Sequence, residues 1–207
     1  CGNIGAESNI ARTVFASVTT DHVSMLNTLS WSAYSGFDGA LTQYAIYRGE
    51  NGVFGSTPVA TTLPGVRSYV DDVSAYFDSQ GQFCYRIEAV EGTNSYGFSE
   101  TSFSNNVCAV IEPVVYIPNA FIVNGANPIF LPIISLYDFS SYQLIIYDRW
   151  GGEVFATQDR DEGWDGHGHT VSGDKLPQGT YVYFLSFNDR NGDVYEYRGT
   201  VTMLFDE

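Results

Sequence analysis

The sequence has little positive charge. Lys175 is its single lysine, and nine basic residues face 24 acidic ones, giving a formal charge of −15 over 207 residues. Nucleic acids and anionic lipid surfaces both demand clustered Lys and Arg, so neither is expected as a partner. No stretch approaches 18 consecutive apolar residues, which excludes a membrane-spanning helix. The opening Cys1-Gly-Asn-Ile-Gly-Ala-Glu-Ser-Asn lacks the basic and apolar regions of a signal peptide. If the protein is exported, its leader is expected to have been removed or to lie upstream. Cysteine is scarce and odd in number: Cys84 and Cys108 could pair, leaving Cys1 over. No segment keeps a helical apolar period over a dozen residues, so helices are limited to single turns. There is no nucleophile elbow, metalloprotease helix, phosphate loop or dinucleotide fingerprint, and no pair of carboxylates is distinguished. Catalysis is therefore not expected.

What is present points to β structure. Fifteen Tyr, 14 Phe and 3 Trp accompany many Val and Thr, with 21 Gly as turn material. Aromatic and β-branched side chains suit pleated, half-buried surfaces. The length fits two domains of about 100 residues, each large enough to bury its own core. Glu112-Pro113 marks the boundary, because proline fixes its own φ and restricts the residue before it. The acidity divides evenly, −7 up to residue 112 and −8 after it. The expected fold is all-β, two consecutive immunoglobulin-like β-sandwich domains over 13–112 and 113–207.

Strands are expected at 13–18, 24–33, 41–48, 59–63, 68–71, 82–90 and 103–110. The breaks between them carry Gly36, Asp38-Gly39, Asn51-Gly52, Pro64-Gly65, Gly81 and Gly92. Recurrence every 8–12 residues or so suggests a sandwich or barrel. In Phe83-Cys84-Tyr85-Arg86-Ile87-Glu88-Ala89 the odd positions are apolar and should face the core, with Cys84, Arg86 and Glu88 facing out. Leu29, Trp31 and Ala33 should likewise point inward. Leu29-Ser30-Trp31, Tyr44-Ala45-Ile46-Tyr47-Arg48, Tyr85 to Val90, Gly97, Ser99 and Ser104-Asn105 together resemble a fibronectin type III domain over about residues 14–112. Such domains are spacers and binding modules without a shared active site. With Cys84 and Cys108 on neighbouring strands, a cross-strand disulfide is plausible and would indicate an oxidising compartment; two free thiols are the alternative. Residues 2–11 echo 97–108. Residues 1–12 then read either as the tail of a preceding similar domain or linker, with the chain a piece of a longer array and Cys1 parted from its partner, or the echo is chance likeness between Gly/Ser/Asn-rich loops.

The second half is more specific. Ile117-Pro118-Asn119-Ala120-Phe121, Ile146-Tyr147-Asp148-Arg149-Trp150-Gly151, Val154-Phe155, Gly163-Trp164-Asp165-Gly166, Pro177-Gln178-Gly179-Thr180-Tyr181-Val182-Tyr183 and Gly199-Thr200-Val201-Thr202-Met203-Leu204 occur in order. They resemble the type B C-terminal sorting domain, also called the gliding-motility-associated C-terminal domain. Bacteroidetes use it to send proteins through the type IX secretion system. The resemblance implies a signal read by the translocon and by an outer-membrane β-barrel shuttle or anchor protein. It would route cargo through the periplasm and outer membrane to the cell surface or the medium, often as part of an adhesin. The sorting-signal residues it implies are Pro118, Asn119, Phe121, Arg149, Trp150, Gly151, Trp164, Asp165, Gly166, Gly179, Tyr181, Tyr183, Gly199, Val201 and Leu204. In one place the sequence departs from the pattern. The acidic, Gly-rich loop usual after Pro-Asn-x-Phe is here Asn124-Gly125-Ala126-Asn127-Pro128-Ile129-Phe130, with both acidic groups gone.

Structural uses are expected for the motif side chains. Trp150 and Trp164 can fill a small core, Arg149 can stack on an aromatic ring or pair with Asp165, and Asp165-Gly166 is turn chemistry. His167-Gly-His169 has a metal-like spacing, yet two histidines on a Gly-rich loop fall short of the three or four ligands zinc wants. No metal site is expected, and no cofactor. Calcium stays open at Asp159-x-Asp161, although Gly163 and Thr170 sit where an EF-hand loop needs oxygen ligands, and Asp189 to Asp193 reads better as an Asn-Gly hairpin. The competing class is a carbohydrate- or protein-binding adhesion module without an export role, using Tyr34, Phe37, Tyr76, Phe77 and Tyr96.

Overall fold

A computed structural model describes residues 11–168 and 175–205. The chain divides into two compact units, one of Cys1–Tyr76 with Gln82–Ile111, the other of Glu112–Glu207 with the short segment Phe77–Gly81.

The described residues of the first unit form nine strands: β1 (Ala16–Asp21), β2 (Leu26–Trp31), β3 (Leu41–Glu50), β4 (Val53–Phe54), β5 (Ala60–Thr62), β6 (Ser68–Asp72), β7 (Gln82–Glu91), β8 (Thr101–Phe103) and β9 (Val107–Val110). One sheet runs β1-β2-β6. The other runs β4-β3-β7-β8, with β5 also on β3 and β9 also on β7. Asn51-Gly52 closes the β3–β4 hairpin with both residues at positive φ, 51° and 83°, the requirement of a two-residue type I′ turn. The period-2 pattern of β7 holds: Phe83, Tyr85, Ile87 and Ala89 are fully buried. The core also takes Leu29 and Trp31 from the facing sheet, and the Trp31 ring meets Tyr44 edge-on at 5.7 Å.

Three expectations need correction. Ala33 is exposed and not inward-facing, because β2 ends at Trp31 and the alternation stops with it. Cys84 is buried although it lies on the outward parity of β7, because β3 and β9 flank it and it is bonded to Cys108 directly opposite. The segment 103–110 is not one strand. It breaks at Ser104-Asn105, whose side chains take over the ladder: Ser104 Oγ accepts from Ile87 N at 2.9 Å, while the Asn105 amide accepts from Ala16 N at 2.9 Å and donates to Ala16 O at 3.1 Å. Asn105 thus ties β1 to the far sheet.

A polar chain crosses the sandwich interior. Thr20 Oγ1 donates to Asn27 Oδ1 (2.9 Å), Asn27 Nδ2 to Tyr85 Oη (2.9 Å) and Tyr85 Oη to Asp71 Oδ2 (2.8 Å). Arg48 Nη1 then bonds both Asp71 oxygens at 3.0 and 3.1 Å, and Arg48 Nη2 reaches Tyr76 Oη. Burial pushes the Tyr85 phenol far up, so it remains a neutral donor. A buried chain of this kind is stable only when every member is satisfied.

The disulfide closes a loop with a sequence separation of 24. Chain entropy then assigns it about 3.5 kcal/mol. A Cys84→Ser, Cys108→Ser double variant is expected to lose about that much stability in this unit by denaturant titration. A loss under about 1 kcal/mol would show that the crosslink does not constrain the unfolded chain.

The second unit has β10 (Val114–Tyr116), β11 (Ala120–Val123), β12 (Ile133–Ser135), a 3₁₀ turn at Phe139–Ser141, β13 (Gln143–Tyr147), β14 (Glu153–Thr157), β15 (Gly179–Asn188) and β16 (Val194–Phe205). Five strands form one sheet in the order β11-β16-β15-β13-β14, and β10-β12 form a small second one. All pairings are antiparallel except β11 with β16, where Ala120 to Val123 run parallel beside Thr202 to Phe205. Aromatic residues dominate the core: Phe121, Phe130, Tyr137, Tyr142, Phe155, Trp164, Tyr181 and Phe187 are buried alongside Leu144, Ile146, Leu185, Val201 and Met203. No helix among the described residues is long and apolar enough to cross a membrane.

Candidate recognition site

The motif residues fall into two groups. One group is structural. Phe121 and Trp164 pack with ring centroids 5.3 Å apart, and Trp164 meets Tyr181 at 4.7 Å. Trp164 is also pinned by its backbone, exchanging hydrogen bonds with Phe130 at 2.8 and 3.0 Å, while its indole N–H donates to His167 O at 3.0 Å. Gly166, at φ +88°, leaves room for Met203: a Cβ there would lie 2.5 Å from the sulfur. Tyr181 Oη donates to Pro177 O at 2.7 Å, which ties Pro177-Gln178-Gly179 to β15, and burial pushes this phenol up. Tyr183 stands opposite Gly199 across β15 and β16, its ring lying over the glycine. Val201 is buried and Leu204 partly exposed. Asn119 is exposed, and its carbonyl accepts from Thr202 N at 2.9 Å. Pro118 is half-buried beside it.

The other group is displayed. The strand β13 stops at Tyr147, and Asp148 organises the turn to β14. Its Oδ1 accepts from Trp150 N and Gly152 N, both at 2.8 Å, its carbonyl accepts from Gly151 N, and its own N–H donates to Gly152 O. Gly151 takes φ +83°, a conformation that costs glycine little. The result corrects the expectation that Trp150 fills the core: its side chain is 81% exposed, whereas Trp164 is at 0%. Arg149 lies over the Trp150 ring at 5.0 Å, within cation–π range, and does not pair with Asp165. Asp165 instead accepts from His167 N at 3.0 Å and faces the His167 ring. Beside the turn lies a groove of about 200 Å³ lined by Asp148, Trp150, Val154, Leu176, Pro177 and Tyr181.

The loop that lacks its acidic residues folds back on its own backbone. Ile122 N donates to Asn127 O and Gly125 N to Ile122 O, and Phe130 anchors the end of the loop in the core. Among the described residues no group of three or more His, Cys, Asp or Glu could hold a metal ion. His169, Thr170 and Cys1 lie outside the described residues, as does the 2–10 segment. Asp189, considered above for calcium, is buried, with Oδ1 accepting from Asn191 N (2.8 Å) and Asp193 N (2.9 Å).

Residues 115–203 match the family model described as the CHU_C type IX secretion signal domain. The second unit is therefore a type IX secretion signal domain. That assignment makes the protein an exported one, found at the cell surface or in the medium. Within the sorting domain, the motif residues are the Trp164 core, the Tyr183–Gly199 pair and the Asp148–Gly152 turn described above. No curated protein matches the sequence. Among solved structures, the chain resembles a tetra-tandem repeat in the extending region of a large adhesion protein, at 18% identity and a TM-score of 0.54. That match covers 95% of this chain and 50% of the other, so the chain spans half of that structure's length. A structure from a 1.5-MDa bacterial ice-binding adhesin matches at 14% identity and a TM-score of 0.27, covering 94% of this chain and 66% of the other. Of these two, the first alone is close enough to bear on the fold, and it shows the repeated β-sandwich.

The aromatic residues named for an adhesion module do not form one exposed surface. Tyr34 and Phe37 stack on each other at 4.0 Å and are half-buried. Tyr76 packs on Phe83 and under Arg48. Phe77 and Tyr96 are exposed.

Proposed function

We propose that the chain belongs to an adhesin-like surface protein without catalytic activity. Its sorting domain is read by the translocon and then by an outer-membrane β-barrel shuttle or anchor protein, and the fibronectin-like unit serves as a spacer. The observation that carries this reading is the family match over 115–203, whose motifs build both the core and a braced, exposed turn. The adhesin-repeat fold supports the surface role. The buried carboxylates support a non-catalytic role: Asp71 is held by Arg48 and Tyr85, Glu91 by the backbone N–H groups of Gly39 and Glu100, and Asp189 by its own turn. Each is committed to structure, and the one phenol among their partners, Tyr85, is pushed far up by burial and stays a neutral donor to Asp71.

The test uses a periplasm-targeted reporter joined ahead of the 207-residue chain in a bacterium that has the type IX system. The expected result is reporter outside the cell, retention in the periplasm when the chain ends at Ile111, and retention of both fusions in a translocon mutant. Equal export of the fusion ending at Ile111 would refute the role of the second unit.

A further inference from the structure

Two turns of the sorting domain share one backbone device. In Asp148-Arg149-Trp150-Gly151-Gly152 and in Asp189-Arg190-Asn191-Gly192-Asp193, the aspartate Oδ1 accepts from the N–H groups two and four residues on. Its carbonyl accepts from the glycine three residues on, and that glycine has φ of +83° or +89°. The third position is Trp in one turn and Asn in the other. Asn191 shows that the turn needs no aromatic ring there. Trp150 does not serve the core either, since four-fifths of it is exposed.

Its neighbour is equally spare. Arg160, Arg190 and Arg198 each pair with a carboxylate, whereas Arg149 forms no ion pair among the described residues and lies against the Trp150 ring. An exposed guanidinium with no ion pair among the described residues is free to take a carboxylate from a partner. Trp and Arg are the residue types that most often carry the energy of protein interfaces, and a rigid display loses little entropy on docking. The groove beside the turn, at about 200 Å³, is below the size usual for small-molecule or cofactor sites, roughly 300 Å³ and up. It suits a partner's side chain.

We infer that Trp150, with Arg149 stacked beside it, is the anchor by which a protein of the export machinery grips the sorting domain. The partner surface would carry an apolar pocket for the indole and a carboxylate at its rim for Arg149. This rests on the reading that the domain is recognised as an export signal.

The experiment uses the reporter joined to the full 207-residue chain. Trp150→Asn installs the residue of the sister turn and should keep the fold. It is expected to lower the exported fraction by about tenfold or more, the loss usual for a hot-spot residue. The melting temperature should stay within about 2 °C, as for an ordinary surface substitution. Arg149→Glu is expected to lose export comparably, Arg149→Lys to retain much of it, and Tyr116→Ala, which removes another exposed ring of the same unit, to export like the parent. Parent-like export of Trp150→Asn would overturn the anchor while leaving the sorting role intact. So would loss of export together with unfolding, or an equal loss in Tyr116→Ala. A parent chain that stays in the periplasm would instead overturn the sorting role, and the anchor with it.

Discussion

Deleting Gly199–Glu207 should abolish export by unfolding the sorting domain, rather than by trimming a tag from its end. The final strand β16 sits inside the sheet, between β15 and β11. The deletion removes Val201 and Met203, both fully buried. Losing a buried side chain of that size typically costs about 2–5 kcal/mol. The same cut takes away the whole strand partner of β11 and bares the edge of β15. Against a total stability of about 5–15 kcal/mol for a domain, these losses are decisive. The expected result is no cooperative transition from the second unit and a reporter retained almost entirely in the periplasm. Export at the parent level would show that neither the strand nor the fold is the signal. A folded but retained variant would show that the strand itself is read.

Asp71→Ala is the second large effect, in the first unit. Arg48 and Asp71 are both nearly enclosed, with side chains 12% and 6% exposed. Removing the carboxylate leaves the guanidinium with only Tyr76 and strips the acceptor from Tyr85 Oη. Breaking a buried pair from one side costs about 3–5 kcal/mol, because a charge stays behind without compensation. Denaturant titration should show that loss. The double variant Arg48→Met, Asp71→Leu should recover most of it, since no charge is then stranded. If the double variant were as unstable as Asp71→Ala, the network would be supplying more than charge compensation. If the single variant lost under about 1 kcal/mol, the network would not hold the two sheets.

Much of this molecule is legible in its sequence, and the failures have particular causes. The alternation in Phe83 to Ala89 is clear because one face of β7 is buried along its whole length. The hairpin between β15 and β16 is marked by Asn191-Gly192, and that between β13 and β14 by Gly151-Gly152. The strands β4, β10 and β12 are too short, at two or three residues, for any period to register. The expectation that Trp150 fills the core fails because size alone does not place a ring: the strand ends at Tyr147 and a turn takes over, which carries the indole outward. The break at Ser104-Asn105 is invisible to periodicity, since side chains there replace backbone ladder bonds. The signal that could have found the display turn is the repeated Asp-Arg-x-Gly at 148 and 189. Read together, the two copies separate what the backbone requires from what it does not. Trp164, by contrast, reads correctly as core, because a large ring between two turn glycines has a core to enter.

The parallel pairing of β11 with β16 also has a bearing on timing. Ala120 and Thr202 are neighbours in the sheet but 82 positions apart in the chain. Contacts of such long range form late and slowly. A chain in which β16 has not yet been made therefore cannot complete the sheet, and stays loose until that strand arrives. A chain that stops short of β16 would never complete the sheet, and would leave β11 without its parallel partner.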